Sequence, residues 1–308
     1  MRYRDAGVDL EKQRSLHKAV AQLLGGDAGA YVRWLTLQDG QYALHVDGVG
    51  TKTLWLLQTD KMWVAGWDCV FVNVNDVVCD GFKPVALVDY VAAQPGLEEK
   101  AAEVFRGLSE AARRVGAVVL GGETAIMPDV VSGVDVVCTL LARRVAEAKP
   151  PQPGDYLVAL ESTGPHANGF SLLRRLFKPG ERVCGASAEE VLLAPVADYS
   201  PVAELMREGV VKAAAHITGG SFAKLKRVLG GLGAELELGG LPCWAEEVVK
   251  RGVSREEAYR VFNMGVGMVL VTDAPHDAVR RAGDFGMQAR VVGRVKKEGV
   301  VVVDGVVF

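Results

Sequence analysis

Glu147-Ala148-Lys149-Pro150-Pro151-Gln152-Pro153-Gly154-Asp155 is the stretch that divides this chain. Prolines at 150, 151 and 153 remove backbone donors and restrict φ, so neither a helix nor a strand runs through it. On both sides, strand-like and helix-like patterns alternate. Upstream, Pro84 to Tyr90, Ala117 to Leu120 and Val134 to Leu141 read as buried strands. Between the first two lies the clearest amphipathic helix, Leu97 to Val115. Its residues Ala101, Val104, Phe105, Leu108, Ala112 and Val115 recur at three- and four-residue spacings. Downstream, Tyr156 to Leu160, Ala234 to Leu238, Ala289 to Val295 and Gly299 to Val303 read as strands. Ser187-x-x-Glu190 and Ser254-x-x-Glu257 are capping-box signatures of helix starts. The expectation is an α+β protein of two α/β-type domains, 1–149 and 150–308.

One segment reads two ways. Val70-Phe71-Val72-Asn73-Val74-Asn75-Asp76-Val77-Val78 has the β-branched composition of a strand. Wound as a helix at about 100° per residue, it brings Asp68, Asn75 and Asp76 into one arc and leaves the rest apolar. Periodicity alone leaves both open.

The whole chain bounds the function class. With 308 residues, 49% of them hydrophobic and 24% charged, it resembles a soluble globular protein with a substantial core. A formal charge of −3, with no block of lysine or arginine, carries no nucleic-acid footprint. The first residues lack the apolar core of a signal peptide, and no later stretch is long enough to span a bilayer; a cytoplasmic location is expected. Five scattered cysteines (69, 79, 138, 184 and 243) without a C-x-x-C pair argue against a disulfide framework and a zinc site. Asparagine occurs only at 73, 75, 168 and 263. A chain depleted in this thermolabile residue is expected to keep it where chemistry requires it.

Several motifs suit phosphate and metal chemistry. Asp47-Gly48-Val49-Gly50-Thr51-Lys52 follows the alternating run Gln41 to Val46. The glycines allow backbone N–H groups close to phosphate oxygens, Lys52 adds a point charge, and Asp47 offers the hard oxygen that Mg²⁺ prefers. The order differs from a Walker P-loop, and alone the motif is equally a strand-to-loop turn. Asn75-Asp76 places a carboxylate in an apolar stretch, where a cation would offset its cost. Gly121-Gly122-Glu123-Thr124 repeats the pattern of glycines and an acid at a strand end. After the linker, Gly164-Pro165-His166-Ala167-Asn168-Gly169 precedes an amphipathic run, Phe170 to Phe177. Asn168 suits a cap over an anion site and His166 a general acid or base. His216-Ile217-Thr218-Gly219-Gly220-Ser221 reads as a second phosphate cradle. Asn263-Met264-Gly265 reads as a tight turn, and His17, His45 and His276 as structural or exposed.

In this order the segments resemble the aminoimidazole ribonucleotide synthetase family, also called phosphoribosylformylglycinamidine cyclo-ligases. The likeness runs nearly end to end. It adds Tyr3-Arg4-Asp5-Ala6-Gly7-Val8-Asp9, Leu193-Ala194-Pro195 and Phe262-Asn263-Met264-Gly265-Val266-Gly267-Met268 to the motifs above. The resemblance implies ATP-dependent cyclisation of formylglycinamidine ribonucleotide to aminoimidazole ribonucleotide, with ADP and phosphate, in de novo purine biosynthesis. It implies a homodimer whose N-terminal sheets join into a β-barrel, with ATP near the interface, and a C-terminal mixed sheet with helices on one face. It also favours helix for the ambiguous segment.

Carried onto this chain, the resemblance implies Mg²⁺ on Asp47, Asp76 and Glu123. ATP would lie on Asp47, Gly48, Gly50, Thr51, Lys52, Asp68, Glu123 and Thr124. The reacting amide would lie near His166, Asn75 and Asp76, and the ribonucleotide on Asn168, Thr218, Gly219 and Gly220. Three departures stand out: Gly25 to Tyr31 in place of a glycine-rich loop with phenylalanine, Ser221 in place of a third glycine, and Asp80-Gly81-Phe82-Lys83-Pro84 in place of a Gly-Ala-Glu-Pro run. Related activities fit less well. Selenophosphate synthetase needs a reactive cysteine near its start, and the first here is Cys69; the hydrogenase-maturation relative ends in cysteine, whereas this chain ends in Phe308. Thiamine-monophosphate kinase carries a different paired-aspartate motif, and a non-catalytic ATP-binding subunit would be expected to lose its acids.

Overall fold

The computed structural model describes residues 2–23 and 31–308. The first sheet is built from β1 (Trp34–Leu37), β2 (Gly40–Gly48), β3 (Phe82–Ala93), β4 (Val118–Ile126) and β5 (Val134–Arg144), in the order β1-β2-β5-β3-β4. After the proline-rich segment, β6 (Tyr156–Glu161) opens the second half, followed by a small hairpin of β7 (Arg182–Val183) and β8 (Ala186–Ser187). β9 (Ala213–His216), β10 (Gly233–Leu236), β11 (Val266–Thr272), β12 (Ala289–Lys296), β13 (Val301–Val303) and β14 (Val306–Val307) complete it. The larger sheet there runs β14-β13-β10-β12-β6-β11-β9 and is mixed, because β10 and β13 pair in parallel. Both halves are therefore α+β.

The ambiguous segment is a helix, Trp63–Val78, and nearly all of it is buried. Tertiary packing overrides its β-propensity, since it touches β2, β3 and β5 on one side and β9 of the second half on another. It crosses the helix Glu98–Val115 at paired glycines. A Cβ at Gly66 would lie 1.9 Å from the Val104 carbonyl oxygen, and one at Gly107 would lie 1.8 Å from that of Trp63. Only glycine lets the two backbones meet this closely.

The strand expected over Ala117 to Leu120 continues to Ile126, so Gly121-Gly122-Glu123-Thr124 lies inside β4 rather than after it. Pairing with Val88–Ala93 carries the strand through, and Gly122 makes room for Asp89, whose Cγ would lie 2.5 Å from a Cβ there. The Ser187 capping box forms fully. At Ser254 only half forms: its side chain accepts from the Glu257 N–H, while Glu257 is taken by the Tyr3 N–H at 2.6 Å.

The expectation for the cysteines is corrected. Cys184 and Cys243 form a disulfide with a Cα–Cα distance of 5.8 Å across 59 residues. Spacing gave no hint of it, because the β7–β8 turn meets the helix Cys243–Lys250 only in the fold. Cys69, Cys79 and Cys138 are free and buried, as small hydrophobes would be. No helix among the described residues is long and apolar enough to cross a membrane. Residues 25–30 of the atypical loop lie outside the described residues, as does the His17 side chain.

Candidate active site

Two polar clusters lie along the helix Trp63–Val78. The first joins the two halves. Lys52 Nζ donates to Asp68 Oδ2 at 2.6 Å and to the Ala194 carbonyl at 2.7 Å, while Asp68 Oδ1 accepts from the Val196 N–H at 2.8 Å. Both side chains are wholly buried. Burial pulls the Lys52 ammonium down and pushes the Asp68 carboxyl up, and their mutual attraction opposes both shifts. Asn75 donates to the Ala197 carbonyl at 2.8 Å and accepts from the Tyr199 N–H at 3.0 Å. Lys52, Asp68 and Asn75, expected on ATP and the reacting amide, hold the segment 194–199 of the second half.

The second cluster centres on Asp76. Its Oδ1 lies 2.7 Å from His216 Nδ1 and its Oδ2 lies 3.4 Å from His45 Nε2, while His45 Nδ1 meets Asn73 Oδ1 at 2.7 Å. Burial alone would push the Asp76 carboxyl up. Bonds from His216 and then His45 outweigh it and hold the group well below the carboxylate range. Burial likewise opposes charge on His45, yet Asp76 and Asn73 raise its pKa overall. His45 is thus partly buried and helps to hold Asp76, where the sequence suggested a structural or exposed residue. Strand alternation carried the signal, since His45 and Asp47 share a face of β2.

Asp47 lies beside this cluster at the mouth of a cavity of about 430 Å³. Burial and then the Asp76 charge raise its pKa, while the Gly48 N–H, His45 and Lys224 lower it. The cavity runs from Asp47 and Gly48 past Val72 and Ala167 to Asn168 and Thr218-Gly219-Gly220. Asn168 Oδ1 would lie 3.4 Å from a Cβ at Gly219, so the two expected substrate motifs, from separate loops, do meet. Lys224 and Arg227 also line the cavity, and they were missed, although they follow the Gly-Gly pair at three-residue spacing.

His166 is not among the residues that line the cavity and is 1% exposed. Its Nε2 faces the Thr163 and Ala197 N–H groups at 3.4 and 3.5 Å, and its Nδ1 is buried without a hydrogen-bond partner. Burial, then the His216 and Lys52 charges, push it well below the ordinary histidine value, so the ring is neutral. Gly267 makes this packing possible: a Cβ there would lie 1.9 Å from the Tyr199 hydroxyl and 2.8 Å from His166 Cε1. Asn263 ties the neighbouring loop by donating to the Gly164 carbonyl at 2.9 Å. Three of the four asparagines (73, 75 and 263) therefore secure the scaffold, and Asn168 lines the cavity.

Glu123 and Thr124 stand apart. Asp47, Cys138, Asp89 and Gly122 form one cross-strand row, and Glu123 sits opposite Tyr90 in the next. Opposed residues share a face, and successive residues alternate. Glu123 therefore lies on the open face of the sheet, and three strand spacings put it about 14 Å along from Asp47. Thr124 returns to the Asp47 face. Thr51 is exposed, its hydroxyl 3.2 Å from that of Ser171, and Gly50 opens the turn that swings Lys52 inward.

Two neighbouring carboxylates, one raised by the charge of the other, fit a divalent cation bound by hard oxygens. No group of three or more potential ligands occurs among the described residues, and Glu123 lies apart from Asp47 and Asp76.

The family described as AIR synthase related protein, N-terminal domain, matches residues 25–143, and its C-terminal counterpart matches 152–305. The chain is 41% identical over 277 residues to the phosphoribosylformylglycinamidine cyclo-ligase of Saccharolobus solfataricus, covering 87% of this chain and 85% of that one. It is 36% identical over 319 residues to the enzyme of the same name from Pyrococcus horikoshii, covering 96% and 95%. A solved structure described as AaThiL complexed with AMPPCP and TMP shares the fold, with a TM-score of 0.70 and 18% identity over 94% of this chain and 92% of that one. Thiamine monophosphate kinase from Aquifex aeolicus gives a TM-score of 0.69 at 19% identity over 96% and 98%. The chain belongs to the phosphoribosylformylglycinamidine cyclo-ligase family.

Proposed function

We propose that this chain catalyses ATP-dependent closure of formylglycinamidine ribonucleotide to aminoimidazole ribonucleotide, releasing ADP and phosphate. The observation that carries this reading is the cavity that joins Asp47 to Asn168 and Thr218-Gly219-Gly220, in a chain whose full-length relatives bear the cyclo-ligase name. An amide oxygen is a poor leaving group, and transfer of a phosphoryl group from ATP makes it a good one. The amidine nitrogen of the same molecule then attacks the activated carbon, expels phosphate and closes the ring. Holding both ends in one cavity supplies the advantage of proximity. The remaining work is positioning and charge stabilisation.

Asp47 and Asp76 would hold Mg²⁺, which when bound neutralises the ATP phosphates. The two imidazoles keep Asp76 ionised and fixed in place. Gly48, Gly50 and Thr51 would take the polyphosphate, and Asn168 with Thr218, Gly219 and Gly220 the ribonucleotide. Lys52, Asp68 and Asn75 act as positioning residues at the junction, and neutral His166 supports the loop that presents Asn168. The division of labour is then 1–149 for ATP and dimerisation, and 150–308 for most of the substrate contacts.

A homodimer is part of the same proposal. The open face of the first sheet exposes Leu35, Leu37, Leu44, Val46, Val88 and Leu120, an apolar surface of the kind that marks an interface. Joining two such faces gives a barrel and carries Glu123 and its partner's copy into the joint. A cytoplasmic location suits a purine biosynthetic enzyme. The test is a coupled assay of ADP release from purified protein with ATP, Mg²⁺ and the ribonucleotide. Absence of substrate-dependent ADP in protein that binds ATP would end this reading.

A further inference from the structure

We propose that Lys224 and Arg227, held together on the ring of Tyr31, take the phosphate monoester of the ribonucleotide and make turnover depend on it. This rests on the cyclo-ligase reading above. Lys224 and Arg227 are the two lysine or arginine side chains that line the cavity. Lys224 Nζ lies 5.6 Å from the centre of the Tyr31 ring and Arg227 Cζ lies 5.3 Å from it. That ring is buried and fixed by its hydroxyl, which donates to the His216 carbonyl at 3.2 Å. Among the described residues, no carboxylate comes within the 4.0 Å ion-pair distance of either cation. Two like charges share one aromatic platform and face a cavity, an arrangement that an incoming anion relieves.

The anion is identified by what each ligand brings. ATP phosphates arrive with a divalent cation, and Asp47 and Asp76 suit that cation. The ribonucleotide phosphate arrives without one, and these carboxylates would repel it. It needs protein cations, and Lys52 is already committed to Asp68. The Lys224 charge acts on both Asp47 and Asp76 while pairing with neither, so it marks the boundary between the metal end and the substrate end. Arg227, three residues on, presents a planar fork that matches phosphate oxygens two at a time.

The experiment compares ADP release with the ribonucleotide and with the corresponding nucleoside, which lacks the phosphate, in wild type, Lys224→Met, Arg227→Met and Arg227→Lys. Loss of one charge-assisted contact is expected to lower kcat/KM for the ribonucleotide about 10- to 100-fold. In Arg227→Met the slow nucleoside reaction should fall far less than the ribonucleotide reaction and the KM for ATP should hold, and Arg227→Lys should recover part of the loss. Inorganic phosphate should compete with the ribonucleotide in wild type and lose that effect in Arg227→Met. A raised KM for ATP in Arg227→Met would assign the pair to ATP and overturn the proposal, as would equal losses on nucleoside and ribonucleotide. If a variant does not fold, the phosphate competition in wild type still decides, because its absence also overturns the proposal. No ADP from wild type with the ribonucleotide is a separate outcome, and it removes the cyclo-ligase reading itself.

Discussion

A neutral histidine sealed under the cavity has a measurable consequence. The folded chain resists protonating His166, because burial holds its pKa well below 6.5, whereas the unfolded chain protonates it normally. As pH falls through about 6.5, the unfolded state gains a proton that the folded state refuses, so stability present above that pH is lost below it. The slope from this one group is about 1.4 kcal/mol per pH unit. Urea unfolding at pH 7.5, 6.5 and 5.5 should show this loss in wild type and a flatter profile in His166→Asn. Equal profiles would mean that the ring is charged or reached by water. The residue scale is also where sequence reading was most uneven. Asp76 stood out because an acid in an apolar stretch demands a reason, and Asp47 because glycines and a lysine follow it. His45, Lys224 and Arg227 did not, because an isolated histidine or a basic pair on a helix is ordinary until the fold turns it into a cavity.

At the scale of elements, Lys52 shows how the fold can give a motif residue a second partner. Its loop looked like a phosphate cradle, but the helical turn from Gly50 to Lys52 points the ammonium inward to Asp68. Removing one member of a buried pair leaves an uncompensated charge and costs about 3–5 kcal/mol, whereas an apolar replacement of both costs far less. Lys52→Met should therefore lose most of that stability in denaturant unfolding, and Lys52→Met with Asp68→Leu should regain much of it. A large rise in the KM for ATP with unchanged stability would restore Lys52 to the nucleotide. The crossing of Trp63–Val78 and Glu98–Val115 gives a second test. Gly66→Ala puts a methyl group against the Val104 carbonyl and should cost at least the 1–3 kcal/mol or so typical of overpacking, read as a lower unfolding midpoint. The helix Glu98–Val115 was legible from its apolar spacing alone. The helix Trp63–Val78 was not, because an element buried on all sides has no amphipathic period to read.

For the whole molecule, what escaped the sequence is what depends on distant segments meeting. The Cys184–Cys243 bridge is one case, and thiol titration of denatured, unreduced protein should find three free thiols instead of five. Closing so long a loop should contribute about 2–4 kcal/mol, lost in Cys243→Ser. The break in regular structure at the proline-rich segment was legible because it is local. Placement of Glu123 was not, because it depends on strand register. That register poses the largest question, since Glu123 lies on the opposite sheet face from Asp47 within one chain. If two sheets join through their open faces, Glu123 serves the joint or the partner's site, and a dimer carries shared sites. Asp47→Asn and Glu123→Gln homodimers would then both be inactive. Dissociated and reassociated together, half of the dimers would be mixed, and each mixed dimer would hold one intact site. Activity should recover to about a quarter of wild type by that statistical exchange. Leu120→Asp, which charges the open face, should shift the protein towards monomer in light scattering and prevent the recovery. No recovery, with exchange confirmed by mass, would show that Glu123 acts within its own chain or not at all.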